Sequence, residues 1–282
     1  MTGPAAQVCA VLLAAGEGRR LRPLTARLPK PLCPVGNVAL LDRALHRVAG
    51  LGLTGAASVA VNAAYLSDLV VAHVAGRARV SVEDDGPLGT AGGVGRLLGW
   101  IAGRAALVGN TDAYLADPDR LPGADIAALV DGWDGHTVRL LTRQTEPGER
   151  PEFGTRRFAG FSLLPWAYLR RLTDEPAELV GRVWRPAEAA GELELVPYAG
   201  TYVDTGTPAD YLAANLHAAG GAALVDPSAT VTGRCTTSVV GAGAVVAGTV
   251  TRCVVWPGAT VAAGEHLTDV VRAGPDLTVG PS

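Results

Sequence analysis

Three stretches near the C-terminus constrain this chain more than anything else in it. Val225-Asp-Pro-Ser-Ala-Thr-Val231, Val240-Gly-Ala-Gly-Ala-Val-Val246 and Val255-Trp-Pro-Gly-Ala-Thr-Val261 recur with an offset of fifteen residues. In each, two apolar residues six apart bracket a Gly or Pro turn and a small Ala. Such a repeat cannot bury its apolar face alone and must stack on its neighbours, with short strands as flat sides and small residues at the corners. A short left-handed parallel β-helix is therefore expected, with about three coils between Ala223 and Val279 and a ragged last coil through Val270, Val271 and Leu277. The small residues and glycines of Ala218–Ala222 mark the break before it, so the chain divides into 1–220 and 221–282. The end of such a stack is an edge that needs a cap or a partner, and self-association through the tail is expected.

The longer N-terminal part alternates strand-like and helix-like segments. Val8–Ala15, Ala57–Val61, Val80–Val82, Ala105–Val108 and Val138–Thr142 read as strands. Leu41, Ala44, Leu45 and Val48 recur at helical spacing within Leu40–Gly50, and further helices are expected near Tyr65–Val74 and Ala91–Ile101. The alternation predicts an α/β fold: a Rossmann-like, mixed and mainly parallel sheet flanked by helices, with ligands at the carboxyl ends of its strands.

Composition narrows the partners. With a formal charge of −3 there is no global basic field, so nucleic acid is not expected as a partner. Cys9, Cys33, Cys235 and Cys253 form no C-x-x-C pair, which fits reduced thiols and a cytoplasmic location. Val8–Ala15 is far too short to span a membrane, and no Lys or Arg precedes it as in a signal peptide.

The first strand opens into Gly16-Glu-Gly18, where the backbone can turn sharply and present N–H groups to an anion. This is not the dinucleotide fingerprint, because Leu21 stands where a third glycine would be. Next come Arg19, Arg20, Arg22, Arg27 and Lys30, five positive charges in twelve residues with no acid among them. Pro23, Pro29, Pro31 and Pro34 stiffen the loop. Lys30 is the single lysine in a chain with 24 Lys and Arg residues. The pattern calls for a phosphate-rich ligand.

These residues carry a resemblance. Leu13-Ala-Ala-Gly16-Glu-Gly18-Arg-Arg20-Leu-Arg-Pro23-Leu-Thr25 followed by Pro29-Lys30-Pro31 resembles the signature of the sugar-1-phosphate nucleotidyltransferases, with Arg19 where Thr is common. Leu88-Gly89-Thr90-Ala91-Gly92-Gly93-Val94 is similar to that family's nucleobase loop, and Val108-Gly109-Asn110-Thr111-Asp112 to its metal-aspartate strand. Tyr202-Val203-Asp204-Thr205-Gly206-Thr207 is similar to its second metal segment, and Phe158-Ala-Gly160 to its sugar-binding strand. The resemblance implies an enzyme joining an NTP and a sugar 1-phosphate into an NDP-sugar and pyrophosphate. It implies Arg20 and Lys30 as catalytic residues, and Mg²⁺ held by Asp112 and Asp204. Leu13, Ala14, Gly16, Gly18, Arg19, Gly89, Thr90 and Asn110 would bind the nucleotide, and Gly160 and Thr205 the sugar phosphate.

Two points stay open in the residues themselves. The acidic stretch Glu83-Asp84-Asp85 can accept from guanine's Watson–Crick edge, which favours GTP over UTP or dTTP, and the resemblance implies mannose 1-phosphate rather than another hexose 1-phosphate beside it; a solvated acidic turn accounts for the same acidic residues. The family's usual second lysine, in an E-K-P segment, has no counterpart, and Arg143, Arg156 or Arg157 would have to replace it. Two other functions compete with the enzyme reading. A hexapeptide-repeat acyltransferase would use His266, and a non-catalytic regulatory paralogue would bind a nucleotide-sugar only.

Overall fold

In a computed structural model, residues 8–281 are described, and they fall into two compact units. The first comprises the described residues up to Glu17, then Leu41–Thr111 and Leu115–Tyr202; the second comprises Gly18–Leu40, Asp112–Tyr114 and the residues from Val203 onward.

A seven-stranded sheet forms the first unit, in the spatial order Leu193–Pro197, Val138–Gln144, Arg156–Leu164, Ala105–Asn110, Val8–Leu13, Val59–Ala63, Arg79–Val82. Val8–Leu13 lies parallel to both its neighbours, and its run of apolar residues reflects burial on both faces. Only Arg156–Leu164 runs antiparallel to the strands beside it. Its register against Val138–Gln144 shifts between Leu140 and Thr142, near Gly160, whose φ of +87° suits a bulge. One core beneath the sheet gathers Cys9, Val11, Ala60, Val94, Leu140 and Leu164. Burial there pushes the Cys9 thiol up to about 11.

The helix Leu40–Gly50 forms where periodicity predicts it. The stretch expected as one helix, Ala91–Ile101, is instead two short ones, Gly89–Gly95 and Leu98–Ile101. Glycines inside the first of them admit close neighbours. A Cβ on Gly93 would stand 2.5 Å from Asn62 Nδ2, and one on Gly95 would stand 1.9 Å from the Thr173 carbonyl oxygen. Close approach takes precedence over helix propensity at these positions.

The second unit holds the coils. Leu224↔Val239↔Val254, Val231↔Val246↔Val261 and Cys235↔Val250 pair in parallel ladders at the fifteen-residue offset. The next step is longer: Val250 pairs with Leu267 and Val254 with Val271, seventeen residues on, because the corner Ala262–Glu265 carries two more residues. That insertion is what makes the last coil ragged in sequence. Thr278–Val279 then folds back antiparallel on Val271–Arg272. Ahead of the coils, the helix Pro208–Ala219 starts with Pro at its first position and Thr207 as its cap, whose Oγ1 accepts from Asp210 N at 3.2 Å. The proline-rich loop contributes three single 3₁₀ turns, Arg19–Leu21, Leu24–Ala26 and Lys30–Leu32.

Candidate active site

Gly18 fixes how the loop closes on itself. At φ +61° its carbonyl accepts from Thr25 Oγ1 at 2.9 Å, and a Cβ there would stand 3.0 Å from Lys30 Cβ. The loop therefore lies against the stem of Lys30, which is only 4% exposed. Its ammonium donates to Asp112 Oδ2 at 3.2 Å and to Asp204 Oδ1 at 3.4 Å, while Arg20 Nη2 donates to Asp204 Oδ2 at 3.3 Å. Thr205 is fully buried, and its hydroxyl ties the two aspartate segments together by donating to the Asp112 carbonyl at 2.9 Å. A Cβ on Gly206 would stand 2.6 Å from Arg20 Nη2, so the guanidinium passes close over the chain there. Arg20, Lys30, Asp112, Asp204 and Thr205 thus meet in the second unit, which also carries Gly18 and the exposed Arg19.

The loop is not the uncompensated basic cluster that its sequence suggests. Asp112 and Asp204 supply the missing acids from far along the chain. Arg27 leaves the cluster: it donates to the Ala273 carbonyl at 3.1 Å and pairs with Asp276 at 3.1 Å. Within the group of four charges, two aspartates balance Lys30 and Arg20. Both aspartate side chains remain about half exposed, at 47% and 49%. Two accessible carboxylates sharing one ammonium suit a hard divalent cation that completes its shell with phosphate oxygens and water.

The other expected nucleotide-contacting residues lie in the first unit, where a relay of buried polar groups joins the two glycine-bearing loops. Ala14 N donates to Asn62 Oδ1 at 2.7 Å, Asn62 Nδ2 donates to Glu83 Oε1 at 2.8 Å, and Leu88 N donates to Glu83 Oε2 at 2.8 Å. Both Glu83 oxygens are occupied, so of the acidic stretch only Asp84 and Asp85 stay exposed. Leu13 ends the central strand, and its carbonyl accepts from Thr111 Oγ1 at 2.7 Å, which holds the end of the Asn110 strand beside it. Gly16 has open space where a Cβ would be, whereas one on Gly89 would meet the Ala177 carbonyl oxygen at 2.5 Å. Thr90 Oγ1 donates to Glu178 Oε2 at 2.6 Å and accepts from Leu179 N at 2.8 Å.

Beside Thr90 lies a cavity of about 110 Å³ walled by Asn110, Phe158, Ser162, Glu178 and Trp184. Trp184 ends a π-turn, Val180–Trp184, of the kind often found at functional sites. Ser162 Oγ and Trp184 Nε1 are shut off from solvent and, among the described residues, have no hydrogen-bond partner, so each can take a polar group from a ligand. Gly160 is on the same strand as Phe158, with its missing Cβ facing Leu115 and the Tyr202 ring at 3.8 Å. Asn62, Glu178, Ser162 and Trp184 escaped the sequence reading. Asn62 alone left a signal there, as a lone amide in an apolar strand.

The three arginines offered in place of a second lysine differ in their partners. Arg143 is gripped by Glu149 and lies over the Tyr202 ring at 5.4 Å, and Arg157 pairs with Glu152 at 3.1 Å. Arg156 donates from Nε to Thr142 Oγ1 at 3.3 Å and, among the described residues, has no carboxylate partner. The Arg143 hydrogen bond holds the Glu149 carboxyl down at about 2, against an ordinary value of 4.5. Its stabilising effect is complete above pH 4.5 and is lost as the pH falls through about 2. Glu149→Gln should therefore cost about 1 kcal/mol at neutral pH, a surface-pair magnitude, and the gap between mutant and wild type should close in urea melts as the pH approaches 2.

Comparisons with known proteins show what the chain as a whole is similar to. The sequence model of the nucleotidyl transferase family matches residues 9–117. A mannose-1-phosphate guanyltransferase of Aspergillus fumigatus is 28% identical over 274 residues, covering 80% of this chain and 74% of the relative. The mannose-1-phosphate guanylyltransferase of Mycobacterium tuberculosis is 30% identical over 153 residues, 52% of this chain but only 40% of its own length. An N-acetylmuramate alpha-1-phosphate uridylyltransferase of Caulobacter vibrioides is 34% identical over 133 residues, 44% of this chain and 52% of its own length. Among solved structures, a Bacillus anthracis protein assigned as a glucose-1-phosphate thymidylyltransferase, in complex with sucrose, shares the fold: TM-score 0.60, 18% identity, 75% of this chain and 95% of that one.

Proposed function

We propose, from the premise that this chain belongs to the sugar-1-phosphate nucleotidyltransferase family, that it joins a nucleoside triphosphate to a sugar 1-phosphate and releases pyrophosphate. The observation that carries the reading is the Lys30 ammonium held between Asp112 and Asp204 with Arg20 alongside. No general base is required, because the attacking sugar-phosphate oxygen is already ionised at neutral pH. The barrier lies in bringing two polyanions together and stabilising charge at the α-phosphorus during in-line displacement.

Each residue then has a distinct task. Arg20 offers a planar fork to the departing pyrophosphate, and Lys30 offers a compact charge that can turn with a phosphate as it inverts. Asp112 and Asp204 would hold the divalent cation used in this family, Mg²⁺ by its preference for carboxylate, phosphate and water oxygens; when bound it neutralises phosphate charge. Thr205 keeps the two aspartate segments in register. Leu13, Ala14, Gly16, Gly18, Arg19, Gly89, Thr90 and Asn110 would form the nucleotide's surroundings. The sugar would lie against Gly160, with Ser162 and Trp184 donating to its oxygens, Glu178 accepting from a hydroxyl, and Arg156, without a carboxylate partner among the described residues, offering its guanidinium to the phosphate.

The names of the fungal and mycobacterial relatives favour GTP and mannose 1-phosphate as the substrates. The four cysteines are free thiols, and no helix among the described residues is long and apolar enough to cross a membrane, which supports a cytoplasmic assignment. On this reading 1–220 is the catalytic region and 221–282 the assembly tail, through which copies associate. Pyrophosphate release is the test, with five common NTPs against a panel of sugar 1-phosphates. Strong, Mg²⁺-dependent release is expected with GTP and mannose 1-phosphate, and no release from any pair would refute the enzyme.

A further inference from the structure

The tail breaks its own repeat at one place. Positions 226 and 241 of the first two coils carry Asp and Gly, and the equivalent position of the third carries Trp256, a far larger side chain than either. Trp256 is nevertheless buried. Its Nε1 donates at 3.0 Å to the hydroxyl of Tyr211, a residue fully buried on the helix Pro208–Ala219, and the two rings meet edge to face with centroids 6.4 Å apart. The Tyr211 hydroxyl in turn donates to the carbonyl of Pro34, four residues beyond Lys30. Burial holds that phenol well above its ordinary pKa, so it remains a donor at any working pH.

The same stretch of loop is fastened at further points, all within the second unit. Asn215, also fully buried, accepts from Gly36 N at 2.9 Å and donates to the Pro34 carbonyl at 3.4 Å. Asn37 Nδ2 donates to the Val240 carbonyl of a coil at 3.0 Å. At the other side of Lys30, Arg27 reaches Ala273 and Asp276. The lysine thus sits in a segment held on both sides by the helix and the coils. A 3₁₀ turn and prolines leave that segment few backbone hydrogen bonds of its own.

We propose that Tyr211 and Trp256 are positioning residues for the reacting-phosphate loop, and that the coils serve catalysis by acting as the template on which Lys30 is held. The inference rests on the nucleotidyltransferase reading for its kinetic part and on these contacts alone for its structural part. It gives the tail a task inside one chain, separate from any assembly through it.

The test uses the full-length chain and the variants Tyr211→Phe and Trp256→Phe. Tyr211→Phe removes the donor to Pro34 and leaves a buried Trp256 N–H unpaired, and a fall in kcat of about tenfold is expected, with KM for the NTP within about twofold. Trp256→Phe removes one donor only, should fall about threefold, and carries the test if Tyr211→Phe does not fold. In a Lys30→Met background, Tyr211→Phe should cause no further loss of the residual kcat, because its effect passes through that lysine; a merely structural defect would lower both backgrounds by the same factor. Independently of activity, amide exchange in residues 18–40 should quicken in both variants while that of Val8–Leu13 stays unchanged. Wild-type kcat in both variants, or unchanged exchange in the loop, would overturn the inference. A wild-type chain that releases no pyrophosphate refutes the enzyme reading instead, and the exchange measurement still decides whether the coils hold the loop.

Discussion

Lys30→Arg is expected to lose at least about 100-fold in turnover while the protein still folds. The buried stem of Lys30 passes against Gly18, and its ammonium reaches one oxygen of each of two aspartates, at 3.2 and 3.4 Å. A guanidinium is longer, flat and fixed in its donor directions, so it cannot reproduce both contacts from the same stem. Fitting it would push the loop outward, at a stability cost of roughly 1–3 kcal/mol. Arginine keeps the charge, so the variant isolates shape from sign. In a chain that meets every other demand for a basic side chain with arginine, the lone lysine marks where shape decides. Pyrophosphate release measured beside a thermal melt checks this, and turnover within a few-fold of wild type would contradict the role.

Asp204→Asn should be at least as damaging. Asp204 is the one residue bonded to both basic groups, accepting from Lys30 at 3.4 Å through one oxygen and from Arg20 at 3.3 Å through the other. The amide keeps one acceptor and turns a donor toward whichever cation its nitrogen faces. On the proposed reading, one of the two carboxylates that would hold the divalent ion is lost at the same time. A fall in kcat of about 100-fold or more is expected, together with a shift of the activating Mg²⁺ concentration to higher values. Stability should change little, because the carboxylate is half exposed and exposed pairs contribute about 0–1 kcal/mol. Titrating Mg²⁺ against turnover is the measurement, and an unaltered Mg²⁺ dependence would remove Asp204 from the metal site.

Much of this was legible in the sequence because it is local or periodic. The fifteen-residue offset matches the register of the first three coils, runs of apolar residues located Val8–Leu13, Val59–Ala63 and Ala105–Asn110, and helical spacing located Leu40–Gly50. The four charged residues of the site stood in recognisable runs. What escaped was non-local. Nothing near Arg27 announces that its partner is Asp276, and the antiparallel direction of Arg156–Leu164 depends on pairing partners that periodicity does not encode. The division of Ala91–Ile101 into two short helices is not encoded in its periodicity, and the approach of Asn62 and Thr173 to its glycines joins residues far apart in the chain. Trp184 and Ser162 are ordinary core types, and only their missing partners, visible in three dimensions, set them apart.

Glu83 shows how a residue can be chosen by its neighbours rather than by a ligand. It receives two N–H groups, one from the Asn62 amide and one from the Leu88 backbone, and returns none. A glutamine would turn an N–H of its own toward one of these donors and leave a buried pair repelling. The backbone donor cannot be reversed. If Asn62 flipped to compensate, it would lose its match with the Ala14 N–H. Donor and acceptor parity along Ala14, Asn62, Glu83 and Leu88 therefore requires an acid at 83 whichever base is bound. That acid acts as a joint between two loops, and substitutions at 62 and 83 are tolerable only in matched pairs.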